Sequence, residues 1–297
     1  RWRCPHLTMF HTLGIVKNNT AAPENEPELR IAHERWLAKV ADRIIVPAER
    51  ERQNLLTFYH APAERVSIIP CGVDPDAFKP RDRLAARRML GLAADAQIAL
   101  YVGRFAPLKG IDRLFAAVAR LKERFPRLHL LVIGGDGPDA QSTRGLQQLV
   151  HELGVGSRTS FLGRIDQREL PPYYSAADLL AVTSHYESFG LVVLEALACG
   201  TPVLSTPVGA VETIIRNGVN GEVVASPAAA DVAEGMARIL SRPPQRRAST
   251  RRIRASVENY SWDKVARAVR QSYAALLMDH DPAQATEYYT VSNVLQS

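Results

Sequence analysis

The chain has 297 residues, a length that favours two domains or one large one. Of these residues 46% are hydrophobic and 23% are charged, which is the ordinary composition of a globular protein. Its net charge of +6 would suit nucleic acid, an anionic membrane surface or a phosphorylated small molecule, but no zinc-finger, RNA-binding or basic-zipper motif accompanies it, which argues against nucleic acid. No apolar run reaches the roughly 18 residues of a membrane-spanning helix. The three cysteines lack disulfide or metal-ligand spacing, which favours a reducing cytoplasm.

The first 75 residues are predicted to form part of an α/β domain. Strands are predicted at 7–11, 43–46 and 65–70, and helices near 27–41 and 48–59. Because LTMFHT, residues 7–12, indicates a strand that arrives without a preceding partner, we expect this N-terminal domain, 1–75, to be truncated. Residues 71–82, CGVDPDAFKPRD, are rich in turn formers and are predicted to link it to a second domain.

From residue 98 onward, short apolar strands alternate with helices. Strands are predicted at 98–103, 128–134, 159–163, 178–184, 201–206 and 221–224. Helices are predicted near 110–124, 140–153, 167–175, after Gly190, and near 210–216, 228–241 and 245–257. This alternation predicts a parallel sheet with helices on both faces, a Rossmann-like domain over residues 76–260.

Two further features complete the prediction of structure. A last helix is expected at 261–277, at the start of a C-terminal segment that runs from 261 to 297. The densest groups of arginines, 81–88 and 246–254, are each predicted to be a solvated helix face.

Loops that follow strands are the first place to look for function, because parallel α/β sheets bind ligands at the carboxyl ends of their strands. In GRFAPLKGIDRL, Arg104 and Lys109 follow the strand at 98–103 and precede a helix. Two cations beside a helix N-terminus suit a diphosphate. The alternative is a pair of exposed surface charges.

Residues 135–140, GDGPDA, fit the G-x-G-x-x-A pattern of a dinucleotide-binding turn. The next strand, however, ends in Gly163 and Arg164 rather than in the acidic residue that would hold a ribose. We therefore interpret the glycines as a turn that lets backbone pass close to a ligand or a helix.

The stretch HYESFGLVVLEALACG, residues 185–200, contains two carboxylates in an apolar environment. Glu187 precedes a helix, and Glu195 lies inside it. The segment of Ser188, Phe189, Gly190 and Leu191 lies where the strand at 178–184 has ended and the helix begins. Its unpaired N–H groups suit phosphate oxygens or sugar hydroxyls. Since a buried carboxylate without a partner costs several kcal/mol, Glu195 needs one, either a vicinal diol such as a ribose or an arginine.

These motifs resemble the retaining nucleotide-sugar glycosyltransferases of family 4, which have the GT-B fold of two Rossmann-like domains facing a cleft. The resemblance covers essentially the whole chain and rests on RIIVPAERERQNLLTFY, VSIIPCGVDPDAFKP, YVGRFAPLKGIDRL, LVIGGDGP and ESFGLVVLEALACGTPVLSTPVGAVETI. It implies that Arg104 and Lys109 bind the donor diphosphate, that Glu195 holds the ribose and that Glu187 holds the transferred sugar. The amides of 188–191 would cap phosphate and sugar.

The same resemblance implies further sites and one gap. The nucleobase would be recognised near Gly163, Arg164 and Ile165. The C-terminal helix would return to the N-terminal domain. The first strand of the family and its glycine-rich loop are absent from the sequence. We therefore do not expect turnover by this chain on its own, even where nucleotide binding survives.

TMFHTLGIVKN, residues 8–18, resembles the subgroup that contains sucrose-phosphate synthases and the mycothiol-type enzymes that glycosylate inositol phosphate. This likeness implies that His11 supports catalysis near the reacting carbon. It also implies that Thr12, Lys17 and Arg30 lie on the acceptor side near a phosphate. Solvated charges on a loop and a helix are the alternative for these three residues.

The resemblance as a whole implies a hexosyltransferase that moves a sugar from a nucleoside diphosphate to an acceptor hydroxyl with retention, by a front-side route. The acceptor would be a small molecule, phosphorylated or lipid-linked, and a peripheral contact with the membrane stays open. No cofactor is expected, and no metal, because no Asp-x-Asp metal motif stands at a strand end. A sugar-nucleotide epimerase of the same architecture and a non-catalytic nucleotide-sugar-binding fragment are the alternatives.

Overall fold

The computed structural model describes residues 4–135, 141–242 and 246–280. The contacts within the chain divide it into two compact units. The first unit contains residues 4–19, 24–72 and 260–280, and the second contains Thr20–Pro23 and Val73–Asn259. In the part of the chain that is described, no helix is both long and apolar enough to cross a membrane.

The first unit is built on a three-stranded parallel sheet in the order β1-β2-β3. Its elements are β1 (Leu7–Met9), α1 (Gly14–Asn18), α2 (Glu28–Val40), β2 (Arg43–Val46), α3 (Glu49–Tyr59), β3 (Val66–Ile68) and α12 (Trp262–His280). Neighbouring residues of β2 point to opposite faces of the sheet. Ile44 accordingly packs with Leu13 and Leu55, whereas Ile45 packs with Val265 of α12.

The second unit is built on a six-stranded parallel sheet in the order β6-β5-β4-β7-β8-β9. Its strands are β4 (Gln97–Val102), β5 (Leu128–Ile133), β6 (Thr159–Gly163), β7 (Leu179–Val182), β8 (Val203–Ser205) and β9 (Gly221–Val223). Its helices are α4 (Arg83–Met89), α5 (Ile111–Leu121), α6 (Gln141–Glu152), α7 (Pro171–Ala176), α8 (Leu191–Ala198), α9 (Val211–Ile214), α10 (Ala229–Leu240) and α11 (Arg246–Ala255).

The order of this sheet reverses between β4 and β7. From β4 the chain adds β5 and β6 on one side, then returns to add β7, β8 and β9 on the other. Strands covered by helices on both faces read as continuous apolar runs, and the central residues of β4 (98–101) are all buried. The large sheet therefore has the Rossmann strand order, with its topological switch point between β4 and β7.

The prediction that arginines 81–88 form a solvated helix face is wrong at Arg87, whose side chain is only 2% exposed. Its three guanidinium nitrogens donate to Ala176 O (3.0 Å), Ala94 O (2.7 Å) and Asp178 Oδ2 (2.9 Å). A buried guanidinium is tolerated when its donors are satisfied in this way. Arg87 thereby ties α4 to the amino end of β7.

The second group of arginines is also mixed in character. In α11, Arg251 and Arg252 are exposed. Arg254, by contrast, donates to three backbone carbonyls, those of Phe78, Ala198 and Pro75. The run of arginines correctly indicated a helix here. It did not indicate which of the arginines would contact distant parts of the fold.

Candidate active site

The loops that follow β4 and β7 are joined at the switch point of the large sheet. His185 N donates to Leu108 O at 2.8 Å, and a Cβ on Gly110, where φ is +57°, would lie 2.3 Å from Thr183 O. Only glycine fits so close an approach in this conformation. Arg113 NH2 lies 2.9 Å from His185 Nδ1, and burial followed by the charge of Arg113 lowers the pKa of that histidine. The two loops therefore form one surface.

Lys109 and Glu187 meet on this surface. Lys109 Nζ lies 2.6 Å from Glu187 Oε1, and Ser184 Oγ donates to the same oxygen at 2.7 Å. Arg104 is exposed on the loop after β4, and its carbonyl accepts a hydrogen bond from Tyr101 OH at 2.9 Å. The structure thus brings the predicted cations and the predicted carboxylate to one edge of the sheet.

Residues 188–191 connect Glu187 to α8. The side chain of Phe189 is buried, and its carbonyl accepts a hydrogen bond from Ala210 N at 3.2 Å. Val193 N donates to Gly190 O at 3.0 Å, which closes the first turn of the helix. Ser188 is half-buried and Leu191 is exposed. The first turn of α8 is therefore anchored by Phe189 beside the Lys109–Glu187 pair.

Glu195 is buried in α8, and both of its carboxylate oxygens have partners. Oε1 accepts a hydrogen bond from Gln167 Nε2 and Oε2 accepts one from Tyr174 OH, each at 2.6 Å. Burial raises the pKa of Glu195, against the effect of these two donors. Among the described residues, the partners are thus neutral donors, neither the ribose nor the arginine that the sequence left open.

Gln167 and Tyr174 are the functional candidates that the sequence did not reveal. They lie 28 and 21 residues before Glu195, so no local motif joins them to it. The one usable signal was the need of a buried carboxylate for donors, which specifies chemistry but not position. Gln167 is exposed whereas Tyr174 is fully buried.

The glycine-rich turn after β5 lies on the same edge of the sheet. A Cβ on Gly134, where φ is +136°, would lie 1.8 Å from Gly103 O, and Gly134 N donates to Gly163 O at 2.8 Å. Close backbone approach therefore requires the glycine. The remainder of the possible dinucleotide pattern, 136–140, lies outside the described residues. At the predicted nucleobase region, Gly163 and Ile165 are half-buried and Arg164 is exposed.

The predicted acceptor residues belong to the first unit. A cavity of about 490 Å³ is lined there by His11, Thr12, Arg30 and Glu34, among others. His11 follows β1 and is exposed. Arg30 NH2 donates to Thr12 Oγ1 at 2.8 Å. Histidine, threonine and arginine thus lie together, but Lys17 is not part of the cavity lining.

The two predicted cations of this region are paired with carboxylates. Lys17 Nζ lies 2.7 Å from both Glu24 and Glu26, and Arg30 lies 2.6 Å from Glu26 and 2.8 Å from Glu34. Burial opposes the charge of Lys17, but its hydrogen bonds to the two glutamates outweigh that effect and raise its pKa. The solvated charges of the alternative interpretation are therefore not what the structure shows.

A Rossmann-ordered sheet with cations and carboxylates at its switch point defines a class of α/β proteins that bind nucleotide-like ligands. Residues 82–256 match the family of glycosyl transferases group 1, and residues 1–77 match Glycosyltransferase Family 4. The chain belongs to the group 1 glycosyltransferase family. The predicted fold class, α/β of the GT-B type with two Rossmann-like units, is confirmed by these matches and by the structural likeness that follows.

Three relatives illustrate the likeness. The D-inositol 3-phosphate glycosyltransferase of Mycolicibacterium paratuberculosis is 39% identical over 284 residues, which are 94% of this chain and 64% of that protein. The protein of the same name from Actinosynnema mirum is 40% identical over 280 residues, 92% and 67% of the two chains. Sucrose-phosphate synthase from Thermosynechococcus elongatus has a TM-score of 0.83 at 35% identity, with 92% and 68% covered. The chain thus spans about two thirds of the length of these relatives.

Proposed function

We propose that this protein is a glycosyltransferase that moves a hexose-type sugar from a nucleoside-diphosphate sugar to an acceptor hydroxyl with retention of configuration. The observation that carries the proposal is the 2.6 Å contact between Lys109 Nζ and Glu187 Oε1 where the strand order reverses. A cation suited to a diphosphate and a carboxylate suited to sugar hydroxyls lie side by side at the position where α/β sheets bind ligands. Family membership supports the same function.

Donor binding would change the partners of this pair. Diphosphate oxygens would attract Lys109, with Arg104 as the second cation, and Glu187 would then accept hydrogen bonds from the sugar. The amides of 188–191 would cap phosphate and sugar. As the bond to the sugar breaks, negative charge grows on the departing diphosphate, and fixed donors at that place stabilise the transition state. The departing phosphate oxygen would take the proton of the acceptor on the same face of the sugar.

The nucleoside would occupy the far end of the same edge. We propose that ribose hydroxyls replace Gln167, an exposed side chain, at Glu195, while buried Tyr174 keeps the other carboxylate oxygen. The base would lie near Gly163, Arg164 and Ile165. No metal or other cofactor is invoked, because the cations of the chain supply the charge that the diphosphate requires.

The acceptor side would use the cavity of the first unit. His11 would support catalysis, and Thr12 and Arg30 would bind a phosphate of the acceptor. Lys17, which lies outside the cavity lining, would join them only by leaving Glu24 and Glu26. The cavity of about 490 Å³ suits a small phosphorylated molecule, which agrees with the names of the inositol-phosphate and sucrose-phosphate relatives. Because Arg30 already bonds to Glu26, Glu34 and Thr12, an incoming phosphate would compete with these partners for its donors. A lipid-linked acceptor, a peripheral membrane contact and the cytoplasmic location stay predictions.

Calorimetric titration with UDP-, GDP- and ADP-glucose tests donor binding, and nucleotide release with inositol phosphate or fructose 6-phosphate, with and without EDTA, tests transfer. We expect one donor to bind and the Glu195→Gln variant to bind it about tenfold more weakly or worse. Glu123→Gln, a change at an exposed glutamate, should bind like the unaltered protein. Failure of every donor, or unchanged binding by Glu195→Gln, would contradict the proposal. Conversion of the donor sugar without an acceptor would favour the epimerase.

A further inference from the structure

A second polar cavity lies at the opposite edge of the large sheet from the candidate active site. Its lining includes Gln97, Asp178 and Pro202, which stand at the amino ends of β4, β7 and β8. The cavity has a volume of about 380 Å³. The donor-site residues follow the carboxyl ends of strands, so the two sites are separated by the length of the strands. This cavity is used by nothing in the proposed reaction.

The lining of the cavity carries an excess of positive charge. Five arginines and two aspartates contribute to it, namely Arg81, Arg83, Arg87, Arg127 and Arg242 with Asp95 and Asp178. Asp95 pairs with Arg127, and Arg242 pairs with Glu222. Asp178 is shared by Arg83 and Arg87. Within the described residues, these pairs leave about two positive charges at the cavity without a carboxylate of their own.

Asp178 is already shared among three donors. Its Oδ1 accepts from Arg83 NH2 at 2.5 Å, and its Oδ2 accepts from Arg87 NH2 at 2.9 Å and from Ile98 N at 2.7 Å. Arg83 Nε is buried and has no hydrogen-bond partner among the described residues. A buried N–H without an acceptor costs about 1–3 kcal/mol. The Arg83 side chain is 19% exposed, and a shift that brought Nε to an anion in the cavity would remove that cost.

The surroundings of Arg87 show the same excess of charge. Burial and, after it, the charge of Arg83 lower the pKa of Arg87, although Asp178 acts in the opposite direction. Hydroxyl groups complete the lining. Ser175 Oγ accepts a hydrogen bond from Arg81 N at 3.2 Å and also bonds to Cys199, and Thr250 lies on α11. Guanidinium groups together with hydroxyl donors are typical of phosphate sites.

We propose that this cavity binds a compact phosphate-bearing anion, either inorganic phosphate or the phosphate group of a small metabolite. Arg83 and Arg81 are the residues that bind it, and Asp178, which also bonds to Arg87, holds Arg83 in place. The volume accommodates a phosphate with a small organic body and excludes a nucleotide sugar of the size expected at the donor site. Its lining shares no residue with the donor-site loops of the second unit or with the His11 cavity of the first.

Titration of the protein with inorganic phosphate tests the proposal, in the presence of UDP, GDP and ADP at high concentration so that the donor site is occupied whichever nucleotide it binds. We expect saturable binding that raises the melting temperature. Arg83→Gln and Arg81→Ala should each weaken it about tenfold. Arg144→Ala, which removes an exposed arginine from α6, is the matched control and should bind phosphate like the unaltered protein. Glycerol 3-phosphate forms the second arm: tighter binding than inorganic phosphate identifies a metabolite phosphate, and equal or weaker binding identifies the free ion.

The design separates this site from other anion sites on the chain. Arg81 is exposed and has no part in the Asp178 pairs, so Arg81→Ala tests binding even if Arg83→Gln proves unstable. Three results would overturn the proposal. They are phosphate binding that is abolished by the saturating nucleotides, phosphate binding that is abolished by Arg30→Gln but not by Arg81→Ala, and phosphate binding that does not saturate. None of these outcomes depends on whether the protein transfers sugar.

Discussion

Lys109 and Glu187 neutralise each other at the candidate active site, with only about a fifth of the lysine side chain exposed. A cation held by a nearby carboxylate is a weaker attractor for diphosphate than a free one, since the ligand must compete with that carboxylate. In the proposed function the pair would therefore couple the two ends of the donor. Diphosphate would release Glu187 for the sugar, and the sugar would in turn keep Glu187 away from Lys109.

This coupling predicts opposite effects of two substitutions on the binding of UDP alone. Lys109→Met should weaken UDP binding by about tenfold or more, because a charge-assisted contact is lost. Glu187→Gln should leave UDP binding unchanged or strengthen it, since Lys109 is released, but should abolish any advantage of UDP-glucose over UDP. Calorimetric titration of both ligands measures each effect. Equal weakening of UDP by the two substitutions would contradict the proposed exchange of partners.

Glu195 gives the protein a component of pH-dependent stability. Its pKa lies above the ordinary value of 4.5 because of burial. The folded state then holds the proton more tightly than the unfolded chain, so this contribution favours folding below pH 4.5 and is lost as the pH rises from 4.5 through the raised pKa. The side chain in the Glu195→Gln variant is neutral at every pH, so the variant lacks this loss of stability. We expect its melting temperature to fall less than that of the unaltered protein over this pH window.

Thermal unfolding in steps from about pH 4 to 7 measures the difference in slope, which isolates Glu195 from other groups that titrate. Glu123→Gln should keep the slope of the unaltered protein, because this glutamate is exposed. Parallel curves for the unaltered protein and Glu195→Gln would show that the carboxylate titrates alike in both states.

Helix α1 depends on residues far away in the sequence. Glu34 Oε2 accepts hydrogen bonds from Gly14 N at 2.9 Å and from Tyr59 OH at 2.5 Å, and Tyr59 OH accepts one from Ile15 N at 3.0 Å. The first two amides of the helix are thus satisfied by α2 and α3, with no capping side chain of its own. Since Arg30 bonds to Glu34 as well, one carboxylate positions the predicted acceptor residues.

We expect Glu34→Gln to lower the free energy of unfolding by about 2 kcal/mol, because the amide lacks the charge that pairs with Arg30 and places an N–H donor against either Arg30 or the donors of Gly14 and Tyr59. Tyr59→Phe should lower it by about 1 kcal/mol, because Ile15 N loses its acceptor and Glu34 loses a donor. Denaturant titration measures both. Glu28→Gln, at an exposed position in the same helix as Glu34, should stay within about 0.5 kcal/mol of the unaltered protein. A loss at Glu28 as large as that at Glu34 would mean that the buried network does not stabilise α1.

Helix α4 offers a matched pair of neighbouring arginines. Arg87 is buried against Asp178 and two carbonyls, whereas Arg88 is exposed. Arg87→Met should destabilise the second unit by about 3 kcal/mol, because Asp178 loses a buried partner. Arg88→Met should change stability by about 0.5 kcal/mol or less. Similar losses in the two variants, measured by denaturant titration, would contradict the assignment.

The sequence predicted elements whose apolar pattern is strong and local. The strand at 43–46 has the predicted bounds, and α5 lies within its predicted range with Leu114, Val118 and Leu121 buried. It did not reveal α1, a helix of five residues whose stability comes from Glu34 and Tyr59 rather than from its own pattern. The partners of Glu195 and the burial of Arg87 escaped it for the same reason, since both depend on contacts distant in sequence.

The two units have separate hydrophobic cores, one around Ile44 and one around Leu130 of the large sheet. Each core is closed by elements of its own unit, and each unit carries a different part of the proposed site. The cation–carboxylate edge belongs to the second unit, and the His11 cavity belongs to the first. Ligands that bind to the two parts should therefore protect different segments of the chain from hydrogen exchange.

Hydrogen exchange measured by mass spectrometry locates these protected segments. We expect UDP to slow exchange in the loops 103–110 and 183–191, where the candidate donor residues and the first amide of α8 lie.

Inositol phosphate, added with UDP, should slow exchange in 11–19 and 24–34, where Thr12 and Arg30 meet the glutamates. Phosphate should slow exchange near Arg81 and Arg83 whether or not UDP is present. The Glu123→Gln variant serves as the control for all three ligands. Protection by UDP that avoided both loops would place the donor elsewhere, and protection by inositol phosphate confined to the second unit would remove the acceptor role of Thr12 and Arg30.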